Sequence, residues 1–230
     1  EALNLYEKAA LMVPENPQNI MKSIDIFIAG VLNDKAKISK ISGYIKNLKK
    51  EIEAQPKRVD LKFRLGYTYF KLPEELSIIG STVENIIVEL KTCIGQAPDY
   101  LPAYSALRRV YDKMGASDKK MYAVAVDTLK KAFEFIDEKN PYLNVEMADC
   151  FYNSYGHDLK SEAAEYYQKA ILYKADMVEA HFKLGSIYRF KKDFEKAILH
   201  FGIAYDIDPN GIYSQECLKS LAALKKRELI

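Results

Sequence analysis

Val178-Glu-Ala-His-Phe-Lys-Leu-Gly-Ser-Ile-Tyr188, then Lys191-Lys-Asp-Phe-Glu-Lys-Ala-Ile-Leu-His-Phe-Gly-Ile-Ala204, then Asp206-Ile-Asp-Pro209, is the stretch that decides the fold. His181, Leu184, Gly185 and Tyr188 fall at i, i+3, i+4 and i+7, the spacing of one helix face. Ala197, Phe201 and Ala204 repeat that spacing in a second segment, and Pro209 stops it. Two amphipathic helices so close in sequence form an antiparallel hairpin. Gly185 lets the partner helix approach, and Ala197 and Ala204 make room from the other side. Phe201 is large enough to fill the gap to a neighbouring hairpin. One hairpin cannot bury both faces alone, so the pattern requires stacked copies.

Those copies are present along the chain. Pro14, Pro56 and Pro98 are each separated by 42 residues and each closes an apolar-periodic segment. Leu65-Gly66 and Tyr69 lead to Ile86, Leu90, Cys93 and Pro98. Leu107 and Tyr111 lead to Ala125, Leu129 and Ala132, with Arg108 at the position of the small residue. Met147-Ala148 and Phe151 lead to Ala163, Tyr167 and Ala170. The weakest copy carries Ile24 and Phe27 in its first helix and Tyr44, Leu48 and Glu51 in its second.

The last copy resembles the tetratricopeptide repeat (TPR): Leu184-Gly185 and Tyr188, then Ala197, Phe201 and Ala204, then Pro209 match the family pattern, with His181 where the family has a larger residue. The resemblance covers nearly the whole chain and implies an all-α fold, a right-handed superhelix (α-solenoid) of helix-turn-helix hairpins. Its expected organisation is a single array over 1–230. Repeats span 17–56, 59–98, 101–139, 141–175 and 178–209, and a capping helix spans 212–228. Ala2, Tyr6, Ala9 and Pro14 place the second helix of a further repeat over 1–14, its first helix lying upstream. Extra residues at Pro73–Ser81 and Gly115–Met121 read as insertions between paired helices. In the capping helix, Leu218, Leu221 and Leu224 are expected to face the last repeat.

Composition agrees with an all-helical protein. Gly and Pro number only 10 and 8, too few for a chain of short strands and loops, and hydrophobic residues make up 49%. The 34 basic and 32 acidic side chains leave a net charge of +2, so no global field draws the protein to nucleic acid or an anionic membrane. Lys46, Lys49 and Lys50, and Lys225, Lys226 and Arg227, read as solvated helix faces. Cys93, Cys150 and Cys217 are odd in number and show no metal or redox spacing, which points to a reducing, cytoplasmic setting. The longest apolar stretch, Ile24 to Leu32, contains Asp25 and is too short to span a bilayer.

No catalytic residues, metal ligands or cofactor site are expected. The sequence lacks the phosphate-loop, nucleophile-elbow and zinc-protease motifs. His157 reads as a turn residue, His181 and His200 as packing residues, and Cys150 as a small hydrophobe beside Phe151.

The TPR resemblance implies that the first helix of each hairpin lines a concave face where a protein or peptide partner binds. Moving one residue on from the core stripe gives the candidate lining. In the copy around Gly66 this is Phe63, Tyr67, Phe70 and Lys71. The next copy gives Ser105, Arg109, Asp112 and Lys113, the following one Val145, Asp149, Tyr152 and Asn153, and the last Phe182, Ser186, Arg189 and Phe190. Aromatics and Arg on such a face suit a binding hot spot; the alternative is that the rings pack against the adjacent repeat. The family's Lys/Asn clamp for carboxyl termini is not matched, since Phe63, Tyr67, Ala106, Tyr142 and Glu146 occupy the corresponding places. The mixed acids Asp112, Asp149 and Glu179 disfavour an RNA-binding groove. The expected function is a non-catalytic interaction scaffold, with self-assembly into homo-oligomers through the N-terminal end as the alternative.

Overall fold

The computed structural model describes residues 8, 12, 16–72, 82–154 and 160–227. The segment 1–14 (Lys8 and Met12 apart), the insertion 73–81 and the turn holding His157 fall outside these. Among the described residues the chain is helical, without strands. The helices are α1 (Pro17–Leu32), α2 (Lys37–Ala54), α3 (Val59–Lys71), α4 (Val83–Gln96), α5 (Leu101–Gly115), α6 (Lys120–Ala132), α7 (Pro141–Ser154), α8 (Lys160–Tyr173), α9 (Val178–Phe190), α10 (Phe194–Ile207) and α11 (Ser214–Arg227). They form two compact units, 1–136 and 137–230.

Helix starts follow from local chemistry. Asn16 caps α1 by accepting from the Gln18 N–H at 3.0 Å, with Pro17 at the first helical position. Thr82 caps α4 through the Asn85 N–H. Asn140 accepts from the N–H groups of Tyr142 and Leu143, just before Pro141 opens α7. Asp193 caps α10 through the Lys196 N–H and pairs with the Lys196 ammonium at 2.9 Å. In the turn before it, Lys192 adopts a left-handed backbone with φ of 61°.

In unit 137–230 each helix packs on the next. The joint of α7, α8 and α9 is filled by Val145, Ala148, Ala163, Tyr167, Ala170, Leu184 and Ile187. Beyond it, Ala197, Phe201 and Ala204 of α10 meet Cys217 and Leu224 of α11. Gly185 faces the Phe201 ring so closely that an added Cβ would lie 2.8 Å from it. In α11 the buried positions are Ser214, Cys217, Ser220 and Leu224, with Leu221 half-buried and Leu218 exposed. The contact face therefore runs through 217, 221 and 224, the i, i+4, i+7 row, and the expectation for Leu218 is corrected.

In unit 1–136, α3 pairs with α4 and α5 with α6. At Gly66 a Cβ would lie 3.2 Å from the Glu89 Cβ, so α3 and α4 also cross tightly. Arg108, at the position of the small residue, is buried and held by Asp112 one turn along its own helix at 2.5 Å. The first helix, α1, packs against α3 and α5 as well as α2.

Candidate functional site

The expected lining residues separate into three groups. Phe63 and Tyr67 are 0% and 1% exposed, and Val145 and Asp149 are also buried, so these four offer no free surface to a partner. Each is committed to packing. Phe63 stacks on Tyr67 and meets Tyr100, just before α5, edge-on at 5.8 Å. Val145 belongs to the core between α7 and α9. Asp149 accepts a 2.5 Å hydrogen bond from the Tyr167 hydroxyl of α8 and so serves the hairpin interior.

A second group is partly engaged. Phe70 is half-buried, its ring 5.9 Å from Tyr67, and Lys71 pairs with Asp25 of α1 at 3.1 Å. Phe182 stacks on Tyr213, ahead of α11, with centroids 4.5 Å apart, while the Tyr213 hydroxyl donates to Glu179. The recurrence of Phe63 against Tyr100 and Phe182 against Tyr213 shows that this register meets the start of the following repeat. Arg189 is exposed, donates to Ser220 of α11 at 2.9 Å and lies over the Phe201 ring. Arg109 is half-buried and Lys113 exposed.

The third group forms an open aromatic and cationic patch in unit 137–230. Phe190 at the end of α9 is 48% exposed, and the Lys160 ammonium sits 3.7 Å from its ring centroid. Tyr152 of α7 is half-buried between two cations, Lys183 at 4.6 Å and Lys160 at 5.8 Å. Partial burial lowers the Lys160 pKa. The sequence register found Tyr152 and Phe190. It missed Lys160 and Lys183, which lie off the stripe and join the patch only because α7, α8 and α9 pack side by side.

The remaining chemistry-bearing groups are held in packing. His181 Nε2 donates to the Ala175 carbonyl at 3.1 Å, which leaves its Nδ1 to accept from His200 Nδ1 at 3.0 Å. Both imidazoles are neutral in this arrangement. Burial lowers both pKa values, that of His200 to about 4, with the neighbouring His181 adding to the shift. His200 also stacks on Tyr188, whose hydroxyl accepts from Gln168. All three cysteines are buried free thiols, and burial pushes Cys93 up to about 12, away from thiolate chemistry. Among the described residues no group of three His, Cys, Asp or Glu side chains could hold a metal ion, and no helix is long and apolar enough to cross a membrane.

Stacked helix hairpins, crossing tightly at Gly66 and Gly185, define the tandem TPR fold, and solved structures agree. The chain superimposes with a TM-score of 0.62 on TTC0263, a thermophilic TPR protein of Thermus thermophilus, at 14% identity over 90% of this chain and 99% of that one. Against a crystal structure of MamA the score is 0.52 at 22% identity, covering 76% of this chain and 94% of that chain. No protein-family model matches the sequence, and no curated protein does either.

Proposed function

We propose that this protein is a non-catalytic interaction scaffold that binds a peptide or protein partner on the first-helix face of its repeats. The observation that carries the reading is the open patch of Phe190, Tyr152, Lys160 and Lys183. Phe190 leaves half its surface in water. A ring flanked by ammonium groups offers a partner both apolar area and charge, the combination enriched in hot spots. Lysines at this face suit a ligand that places an aromatic or aliphatic side chain against Phe190 and a carboxylate beside Lys160 or Lys183. Arg189 supplies a further exposed cation on the expected lining register.

The test is selection of peptides from a random display library on the wild-type chain, with counter-selection on Tyr152→Ala/Phe190→Ala. Enriched peptides are expected to contain an acid near an apolar residue and to be lost on the variant. Enrichment that is indifferent to both substitutions would contradict the reading.

A further inference from the structure

In unit 1–136 the face expected to receive a partner is already occupied, and the occupant is α1. Two residues that sequence register assigns to the lining, Lys71 of α3 and Ser105 of α5, meet it directly. The Ser105 hydroxyl points at the Met21 sulfur at 3.9 Å, and the Lys71 ammonium pairs with the Asp25 carboxylate at 3.1 Å. Phe63, Tyr67 and Ser105 are all buried. On its other flank α1 meets α2 through Phe27 and Tyr44, whose ring centroids lie 4.4 Å apart.

The composition of α1 fits this role. Ile20, Met21, Ile24 and Ile28 fall at i, i+1, i+4 and i+8, all buried, and Lys22 and Asp25 are the only charged residues in the helix. That is how an amphipathic helix lies in a groove. The linker to α2 is built around Asp34, which accepts from the Ala36 N–H at 2.7 Å and pairs with Lys40. Those bonds tie the linker to α2, the Asp34 N–H donates back to the Val31 carbonyl of α1 at 2.9 Å, and beyond this turn α1 is held by side-chain packing on α2, α3 and α5.

We infer that the α3–α5 face is a helix-binding groove, that α1 is its resident occupant, and that its external ligand is an amphipathic helix of the same chemistry. Such a ligand carries apolar residues at i, i+1, i+4 and i+8 and an acid beside them for Lys71. It gains the groove by displacing α1 about the 33–36 linker, so the chain binds it only to the extent that α1 leaves. The inference rests on reading the first-helix face as a binding surface.

The experiment uses the full chain and a fluorescein-labelled peptide of residues 16–34. Met21→Asp/Ile24→Asp in the chain places carboxylates on the buried face of α1 and expels it. Fluorescence anisotropy is expected to show the peptide binding this variant at least ~10-fold more tightly than wild type, since the competent fraction rises from a minor to a major state. Adding Lys71→Glu to the variant should weaken the peptide, and a peptide carrying Asp25→Lys should restore it. Hydrogen exchange on the wild-type chain provides a readout that does not depend on the variant folding. Amides of α1 should exchange through an opening that leaves α3 and α5 protected.

Peptide binding no tighter to the expelled variant than to wild type overturns the inference. So does exchange of α1 only together with α3 and α5, because α1 is then an inseparable part of the core. Neither result touches the scaffold reading, which is decided separately by the sensitivity of selected peptides to Tyr152→Ala and Phe190→Ala in the other unit.

Discussion

Replacing Gly185 by Ala adds one methyl at the crossing of α9 and α10, and the surroundings fix what that methyl meets. It would lie 2.8–2.9 Å from three atoms of the Phe201 ring. Phe201 is fully buried, with the Phe182 ring centroid 5.8 Å away and the Arg189 guanidinium over its face at 5.6 Å, so the ring has little room to retreat. Overpacking of this kind costs about 1–3 kcal/mol. Exchanging Gly for Ala inside a helix returns about 0.8–1 kcal/mol, so a net loss of about 0–2 kcal/mol, centred near 1, is expected. Gly202, in the adjoining helix, is the internal control: nothing lies within 4 Å of its added Cβ. There the propensity difference acts alone and Gly202→Ala should stabilise by about 0.5–1 kcal/mol. At roughly 2–4 °C per kcal/mol for a chain of this size, melting followed by circular dichroism at 222 nm separates the two variants by about 5 °C. If Gly185→Ala melts at or above Gly202→Ala, the crossing is not governed by the Gly185–Phe201 contact.

Other outcomes follow from single residues. Lys192 holds a left-handed backbone at φ 61°, so Lys192→Gly should raise stability by about 0.5–1 kcal/mol in urea unfolding, the cost of that conformation being partly offset by the freer unfolded chain. His200 has a folded pKa of about 4 against an ordinary value of 6.5; the unfolded state therefore binds the proton first, and stability present near pH 7 is lost as pH falls from about 6.5 towards 4. Because the ring is only half-buried, the loss attributable to His200 should be about 1–2 kcal/mol, and His200→Gln should flatten the stability profile in that window. Tyr167→Phe removes the hydroxyl that donates to buried Asp149, which should cost about 1–3 kcal/mol while leaving peptide affinity unchanged; an affinity loss would return Asp149 to the binding face.

How far the structure can be read from residues depends on how local the contacts are. Gly185 and Phe201 meet within one hairpin, and Leu184, Ala197 and Ala204 face only the helices next in sequence, so their spacing carries the geometry, and the all-helical TPR fold was legible from them. The burial of Phe63 and Tyr67 was not. Their register is that of a lining, but Phe63 is committed to Tyr100, just before α5, and to Tyr67, and which neighbour an aromatic meets is not encoded in the spacing of its own helix. Leu218 misled because three leucines at 218, 221 and 224 look like a stripe, whereas the row that meets α10 begins at Cys217. Lys160 and Lys183 escaped notice because a cation over a ring requires three helices to be placed side by side, which no periodicity encodes.

The most direct measurement is a calorimetric isotherm of a library-selected peptide on wild type and on Tyr152→Ala/Phe190→Ala, with melting curves on the same samples. The double variant should lose about 2 kcal/mol of binding, roughly thirty-fold in affinity, while melting within about 2 °C of wild type, since Phe190 is half in water and Tyr152 is partly covered by lysine chains. Unchanged affinity, or an affinity loss accompanied by the unfolding of α7 and α9, would contradict a binding surface at these residues.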